Sequence, residues 1–243
     1  MTSPARSHFL RMAAARSAAD AEADNPLRHA TGYELMLAQL AEHKRALKLI
    51  QSIKRKADAK RTMLPEYQAW IEGVIAADAA VQDEVFMTVM VWHIDVGDFT
   101  GALPLARHAI RHRLAMPDQY QRTTACLIAE EYATMAIKAA EAGDPVDTDA
   151  LADIAQLVEG EDMPDEVRAK LHKAIGYSSL TGIPALPADQ QQRARQAALA
   201  HLQRALTLHD KSGVKKDIER LEREIRNAAT AAPPEDKPGD GSG

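Results

Sequence analysis

The chain has 243 residues, enough for one helical domain or two smaller ones, and its 46% hydrophobic and 27% charged residues are typical of a globular protein. Aromatic residues make up only 4% while alanine is abundant, which favours helices over sheets. No apolar run is long enough to span a membrane, the N-terminus does not resemble a secretory signal, and the single cysteine, Cys126, excludes an internal disulfide framework, so we expect a reducing, cytoplasmic setting.

The net charge of −5 conceals an asymmetry along the chain. Residues 1–61 carry 12 Lys and Arg against 6 Asp and Glu, a net of +6, whereas the remaining 182 residues carry 18 against 29, a net of −11. Such a split indicates an anionic partner for the front of the chain.

Helical signals occur from the first residues onward. A short, mobile basic helix is predicted from Pro4 to about Ala19, and apolar residues at helical spacing predict one long helix from Thr31 to about Arg61. Another helix begins near Pro65. An apolar helix covers 83–96, and Gly97 can adopt the left-handed turn that ends it.

The second half continues in the same way. Helices are predicted at roughly 123–142, 148–159, 164–178, 190–209 and 213–225, and the Pro- and Gly-rich tail from about Ala228 is predicted to be disordered. No strand pattern competes. The expected fold is all-α, built of packed helical hairpins that are tetratricopeptide-like in places. The expected regions are a mobile basic segment (1–24), a region with the basic long helix that is expected to meet the anionic partner and to carry oligomerisation (25–112), a helical-hairpin region (113–227) and a disordered tail (228–243).

The stretch from Met87 to His112 raises the question of a metal site. His108 and His112 are four residues apart, the spacing of a zinc-binding helix, but a metalloprotease needs glutamate where Ala109 stands, and a third ligand would have to come from elsewhere. His93 and Asp95 lie near the end of the preceding helix. We interpret the stretch as two packed helices with His108 and His112 on their surface, and predict neither a metal site nor a catalytic residue.

Other catalytic signals are weak. The triplets Glu42-His43-Lys44 and Asp58-Ala59-Lys60 match a fragment of one nuclease signature, but both fall in a predicted helix. The acids at 144, 147 and 149 indicate a helix-capping loop, and no phosphate-binding glycine loop is present, so we expect no ATP hydrolysis by this chain.

Basic residues between Glu42 and Arg61 give the stronger signal. On one continuous helix, Lys44, Lys48 and Arg55 would fall within about 40° of each other and form a stripe along phosphates. The alternative is an ordinary solvated helix face. The predicted DNA-binding residues are Lys44, Arg45, Lys48, Lys54, Arg55, Lys56, Lys60 and Arg61, assisted by Arg6, Arg11 and Arg16.

Several stretches resemble one viral family. They are "PLRHAT-YE-ML" (Pro26 to Leu37), "MTVM-W--D-GD--GAL--AR-A" (Met87 to Ala109), "MPDEVRAKLHK" (Met163 to Lys173), and "ALAHLQRA" with "GVKK-IERLERE" (Ala198 to Glu224). The chain thereby resembles the small terminase subunits of contractile-tailed temperate phages of the peduovirus type, the gpM family, customarily called the terminase endonuclease subunit.

The resemblance implies a role in packaging viral DNA. It implies that the chain binds double-stranded viral DNA near the cohesive-end site, forms a homo-oligomer, expected to be a ring, and presents DNA to a large ATPase subunit in the host cytoplasm. Divalent metal and ATP are expected on that large subunit and no cofactor on this chain. Whether the chain is itself an enzyme stays open, with two alternatives: a metal-dependent endonuclease in its own right, or a protein-binding helical scaffold.

Overall fold

The computed structural model describes residues 3–22, 30–117 and 121–231. These residues form eleven α-helices and no strand, which confirms the predicted all-α class. The helices are α1 (Pro4–Glu22), α2 (Ala30–Lys48), α3 (Ile53–Met63), α4 (Gln68–Ala77), α5 (Glu84–Asp95), α6 (Phe99–Arg111), α7 (Thr124–Ala142), α8 (Thr148–Leu157), α9 (Asp165–Gly182), α10 (Ala188–Leu208) and α11 (Lys215–Ala231), with short 3₁₀ turns at Leu64–Glu66 and Ile183–Ala185.

The chain divides into two compact units: residues 1–132 with 153–163, and residues 133–152 with 164–243. The boundaries predicted at 24, 112 and 227 stay predictions. Of the predicted disordered tail, residues 232–243 lie outside the described residues, and residues 228–231 belong to α11.

The first unit is built around α5. Nine of its twelve residues are buried, as expected for the run from Val85 to Trp92, which is apolar at every position but Thr88. Asp83 caps the helix, because its Oδ1 accepts from the backbone N–H of Phe86 at 2.9 Å while its Oδ2 accepts from Trp70 Nε1 at 2.8 Å. Burial raises the pKa of this Asp83 carboxyl above its usual range.

Helix α1 packs on α4, and this packing depends on small residues. Leu10 and Ala14 on α1 are buried. A Cβ placed on Gly73 of α4 would lie 2.7 Å from Ala14 Cβ and would also clash with the backbone oxygen of Arg11. The two helices therefore approach closely only because Gly73 has no side chain.

The predicted single helix from Thr31 to Arg61 is wrong. The chain leaves helical geometry at residues 49–52 and starts again at Ile53, because Ser52 has an extended backbone and its hydroxyl accepts from the N–H of Arg55 at 3.3 Å. This is the usual action of an N-cap serine, which here begins a second helix inside a continuous apolar pattern. Lys44 and Lys48 consequently lie on a different helix from Arg55.

The second unit contains an antiparallel α9–α10 hairpin on which α11 packs. His172 lies against His201 and Gly176 lies against Ala198. Later residues of α9 therefore meet earlier residues of α10, which shows that the two helices are antiparallel. The buried core comprises Ala198, Leu202, Val214, Ile218 and Leu221. The prediction of packed helical hairpins is thus met most clearly in this unit.

A candidate nucleic-acid interface

Most of the predicted DNA-binding cations are already engaged by side chains of the protein. Lys44 pairs with Glu84 at 2.8 Å, Arg61 with Asp58 at 2.7 Å, Arg11 with Glu72 at 3.0 Å, Arg45 with Glu42 and Lys60 with Asp95, while Arg6 donates to Gln39 Oε1 at 3.3 Å. Arg16 lies in α1, and its side chain lies outside the described part of the chain. A neighbouring carboxylate offsets the field of each paired cation, which weakens its attraction for phosphate.

The other four cations occur together where α2 passes into α3. Lys48, Lys54, Arg55 and Lys56 have no ion-pair or hydrogen-bond partner for their side chains among residues 3–22, 30–117 and 121–231, and all but the half-buried Lys56 are exposed. We call residues 48–56 the elbow. Four uncompensated positive charges in nine residues make the elbow the strongest anion-attracting feature among the predicted residues.

The elbow also presents two large apolar side chains to solvent. Leu49 is 85% exposed and Ile53 is 86% exposed, more than any other large hydrophobic residue whose side chain is described. Helix α3 has no buried residue at all, so it lies on the surface of its unit. The sequence predicts the basic residues of this region. The exposure of Leu49 and Ile53 was not predicted, because it depends on the break in the helix at Ser52.

The paired histidines of α6 lie in a different environment from the one predicted. His108 is 3% exposed, so its predicted surface position is wrong, and His112 is half-buried. Asp78 provides the third group: its Oδ1 lies 2.9 Å from His112 Nε2 and 3.7 Å from His108 Nδ1. Among the described residues these three form the one group of three metal-ligand side chains whose atoms lie within 4.8 Å of one another.

Arg111 changes how this cluster behaves. Its Nη1 lies 2.9 Å from both carboxylate oxygens of Asp78, so a guanidinium already occupies the carboxylate that a cation would need. The hydrogen bond from His112, together with the charge of Arg111, lowers the pKa of Asp78, while burial lowers the pKa of His108. A divalent ion here would be repelled by Arg111, and the cluster fits an internal charge network that ties α6 to the end of α4 better than a metal centre.

The two remaining candidates for catalysis do not assemble either. In the first triplet Glu42 pairs with Arg45 and Lys44 with Glu84; in the second Asp58 pairs with Arg61 and Lys60 with Asp95. The acid and the lysine of each triplet therefore face different partners. His93 bonds to Asp98 at 2.8 Å and Asp95 pairs with Lys60, so each has a partner outside the Asp78 cluster.

Asp147 and Cys126 add no further candidate for catalysis. Asp147 Oδ1 accepts from the N–H of Ala150 at 2.9 Å, which confirms the predicted capping loop before α8. Cys126 is buried, and this burial raises the pKa of its thiol. Neither residue has the environment of a reactive group.

A cleft of about 600 Å³ lies between α1, the end of α3, α4 and the α5–α6 turn. Two guanidinium groups, those of Arg11 and Arg61, line it. Both are ion-paired, and Arg61 also donates to the carbonyl oxygen of Val96 at 3.0 Å. The cleft therefore offers no free cation to an anionic ligand.

Comparison with known proteins identifies the family. The model of the phage small terminase subunit family matches residues 37–166, and the chain is 46% identical over 240 residues to the terminase, endonuclease subunit of Escherichia phage P2, covering 96% of this chain and 92% of that protein. The chain belongs to the phage small terminase subunit family. A probable terminase, endonuclease subunit of Haemophilus phage HP1 is 25% identical over 196 residues, covering 79% and 70% of the two chains. No solved structure matches.

The residues matched by the family model include the elbow and the Asp78 cluster. The match begins at Leu37 in α2 and ends at Glu166 at the start of α9. Helices α10 and α11 lie beyond it. The matched region of this chain therefore contains all four cations of the elbow and includes residues of both units. No described helix is long and apolar enough to cross a membrane.

Proposed function

We propose that this chain binds double-stranded viral DNA near the cohesive-end site and presents it to the large ATPase subunit of the terminase in the host cytoplasm. The observation that carries the DNA-binding part is the elbow, where four unpaired cations lie together within the family-matched region. Contacts from such cations to phosphates supply affinity that falls steeply with salt, without selecting a sequence.

The ion pairs within the protein support a ranking of the residues proposed to contact DNA. Lys48, Lys54, Arg55 and Lys56 become the primary contacts. Lys44, Arg45, Lys60, Arg61, Arg6 and Arg11 become secondary contacts, because each must first leave a partner within the protein. Arg16 stays a proposed contact.

A salt titration tests the assignment. Replacing Lys48, Lys54, Arg55 and Lys56 together by alanine should weaken binding to cohesive-end DNA and reduce the log–log salt slope by up to about 3 to 4, scaled from ~0.9 per phosphate contact. The matched control removes four exposed cations from the second unit, Lys211, Lys215, Lys216 and Arg223. If both quadruple variants lose the same slope, or neither loses any, DNA binding is not carried by the elbow.

Self-association is the second part of the proposal. We propose a closed homo-oligomer, a ring, since Phe9, Met12 and Leu35 leave additional apolar surface exposed on α1 and α2. Light scattering at micromolar concentration should give a mass several times 26.5 kDa. A monomer with and without DNA would contradict this part and leave the DNA contact unaffected.

The word endonuclease in the names of both relatives raises cutting as a second candidate activity. We propose that cutting belongs to the assembled terminase, with divalent metal and ATP on the large subunit. The separated triplets and the Arg111-bound carboxylate support this division, because they leave no carboxylate among the candidate residues available to a metal.

A further inference from the structure

The elbow combines two features that rarely occur together on a water-facing surface. Leu49 and Ile53 are almost fully exposed, and unpaired cations adjoin them on both sides, with Lys48 before Leu49 and Lys54 after Ile53. A solvated basic helix face needs no aliphatic side chains at its most exposed points. Apolar side chains held among cations match the way in which architectural proteins open and bend duplex DNA.

We propose that Leu49 and Ile53 form an apolar wedge that enters the minor groove, partly unstacks a base step and bends the DNA. This inference rests on the proposed DNA-binding function and deepens it. Unstacking costs a few kcal/mol per step and is repaid when the bent duplex brings more phosphates to the protein. The cations beside the wedge would neutralise the phosphates on either side of the opened step.

The local backbone gives the wedge a firm support. Leu49 N–H donates to the carbonyl oxygen of Ala46 and Ile50 N–H to that of Leu47, both at 3.2 Å, so the end of α2 closes in a hydrogen-bonded turn. Leu47, two residues before the first wedge residue, is buried. On the other side Ser52 caps α3, which fixes Ile53 as the first residue of that helix. The two side chains can unstack DNA bases only if the backbone that carries them does not move. Here that backbone is held on both sides, by the end of α2 and by the cap of α3.

The charges argue for DNA over a two-fold contact between copies of the chain at this surface. A two-fold contact would place the same patch of both copies face to face, and therefore four uncompensated cations against four others. Two aliphatic side chains offer little apolar area to offset that repulsion. A polyanion instead turns the same four charges into attraction.

The choice of base step follows from the mechanism. Pyrimidine–purine steps such as TA unstack most easily, so a wedge should prefer a duplex that contains one. A different contact, apolar packing on thymine methyl groups in the major groove, would instead depend on those methyls. Replacing thymine by uracil removes the methyl and leaves the flexible step, so the two contacts predict different results.

The experiment measures bending by energy transfer between dyes at the two ends of a duplex of about 30 base pairs with one central TA step, a length stiff enough for an induced bend to be seen. The full chain should shorten the end-to-end distance. Leu49→Ala with Ile53→Ala should abolish the bend, weaken binding about tenfold or more, and reduce the salt slope by less than the elbow alanine variant does, because the four elbow cations remain and only the phosphates brought in by the bend are lost. Val146→Ala, at a half-buried apolar side chain in the loop before α8, lies outside the proposed DNA-binding and self-association surfaces and is the control; it should bend DNA as the wild type does.

Several outcomes would overturn the wedge. Bending that persists in the double variant, no bending by the wild type, or loss of the wild-type bend when thymine is replaced by uracil would each do so. A fall in the native mass of the double variant would assign Leu49 and Ile53 to a contact between copies, and co-sedimentation with anionic vesicles that the double variant loses would assign them to a lipid surface. If the double variant still bends DNA while the elbow alanine variant has a lower salt slope, the wedge is wrong and the proposed DNA-binding function stands. If neither variant differs from the wild type, the wedge and the proposed DNA-binding function are both wrong.

Discussion

His172 and His201 show how a single residue pair makes stability depend on pH. Their Nδ1 atoms lie 3.0 Å apart, so one ring must donate and the other accept, which requires at least one neutral ring. Burial, followed by the neighbouring charges of His201, Arg204 and Arg168, lowers the pKa of His172 to about 4, and burial lowers the pKa of His201.

We therefore predict that the protein loses stability on mild acidification. The folded pKa of His172 lies below its ordinary value, so the neutral ring's stabilisation is complete above about pH 6.5 and is lost as the pH falls from there towards 4. The full shift corresponds to about 3 kcal/mol, which solvent screening of these half-buried rings reduces to roughly 1 to 2 kcal/mol.

Chemical denaturation at pH 7 and pH 5 measures this loss. His172→Gln should reduce the difference between the two values, whereas His8→Gln, at an exposed histidine on α1, should not. An unchanged pH dependence in the His172 variant would mean that other groups cause the acid lability.

The close contact between α1 and α4 at Gly73 leads to a prediction about stability. Gly73→Ala should destabilise the protein by about 1 to 3 kcal/mol, because the new methyl group overlaps Ala14 and forces α1 away from α4. Gly160→Ala is the control: nothing lies within 4 Å of a Cβ there, so its effect should be within about 0.5 kcal/mol. Thermal melting of both variants provides the comparison, and similar melting temperatures would show that the α1–α4 contact contributes little to stability.

At the scale of elements, periodicity predicted most helices to within a few residues. Gly97 has a φ of +76°, as predicted for the glycine that ends α5, and Asp98 caps α6 through the N–H of Gly101 at 2.9 Å. The break between α2 and α3 was missed, because the apolar spacing continues across it. Ser52 was the available signal, since serine favours N-caps, but a serine within a helical pattern is ordinary.

The candidate site could be predicted only in part, because many of its contacts join residues that are far apart in the sequence. The sequence marked the basic region, but not which cations are neutralised by acids far along the chain: Glu84 is 40 residues from Lys44, and Asp95 is 35 residues from Lys60. The partner of the α6 histidines was equally remote, since Asp78 follows α4 in a left-handed conformation with φ of +48°. Long-range pairing of this kind is decided by packing and not by local spacing.

At the scale of the whole molecule, we predict that the chain alone does not cut DNA. Cutting needs a metal-activated water and stabilisation of the charged phosphate, and the candidate carboxylates are held by arginine or lysine side chains. Cohesive-end DNA with magnesium or manganese should be cut when the large subunit is present and remain intact without it.

Two variants give this prediction its control. His112→Asn changes the Asp78 cluster and leaves the buried side chain of His108 in place. Glu42→Gln with Asp58→Asn removes the carboxylate from each of the two triplets. Cutting by the assembled terminase should be undiminished in each. Cutting by the lone wild-type chain that either variant abolishes would place an active site in this subunit.

The most direct test of the central claim, that the elbow contacts DNA, is hydrogen–deuterium exchange of the full chain with and without cohesive-end DNA. Backbone amides in residues 48–63 should exchange more slowly in the complex, because α3 is exposed in the free chain and becomes covered by the duplex. Slower exchange confined to α10 and α11, with residues 48–63 unchanged, would contradict the account.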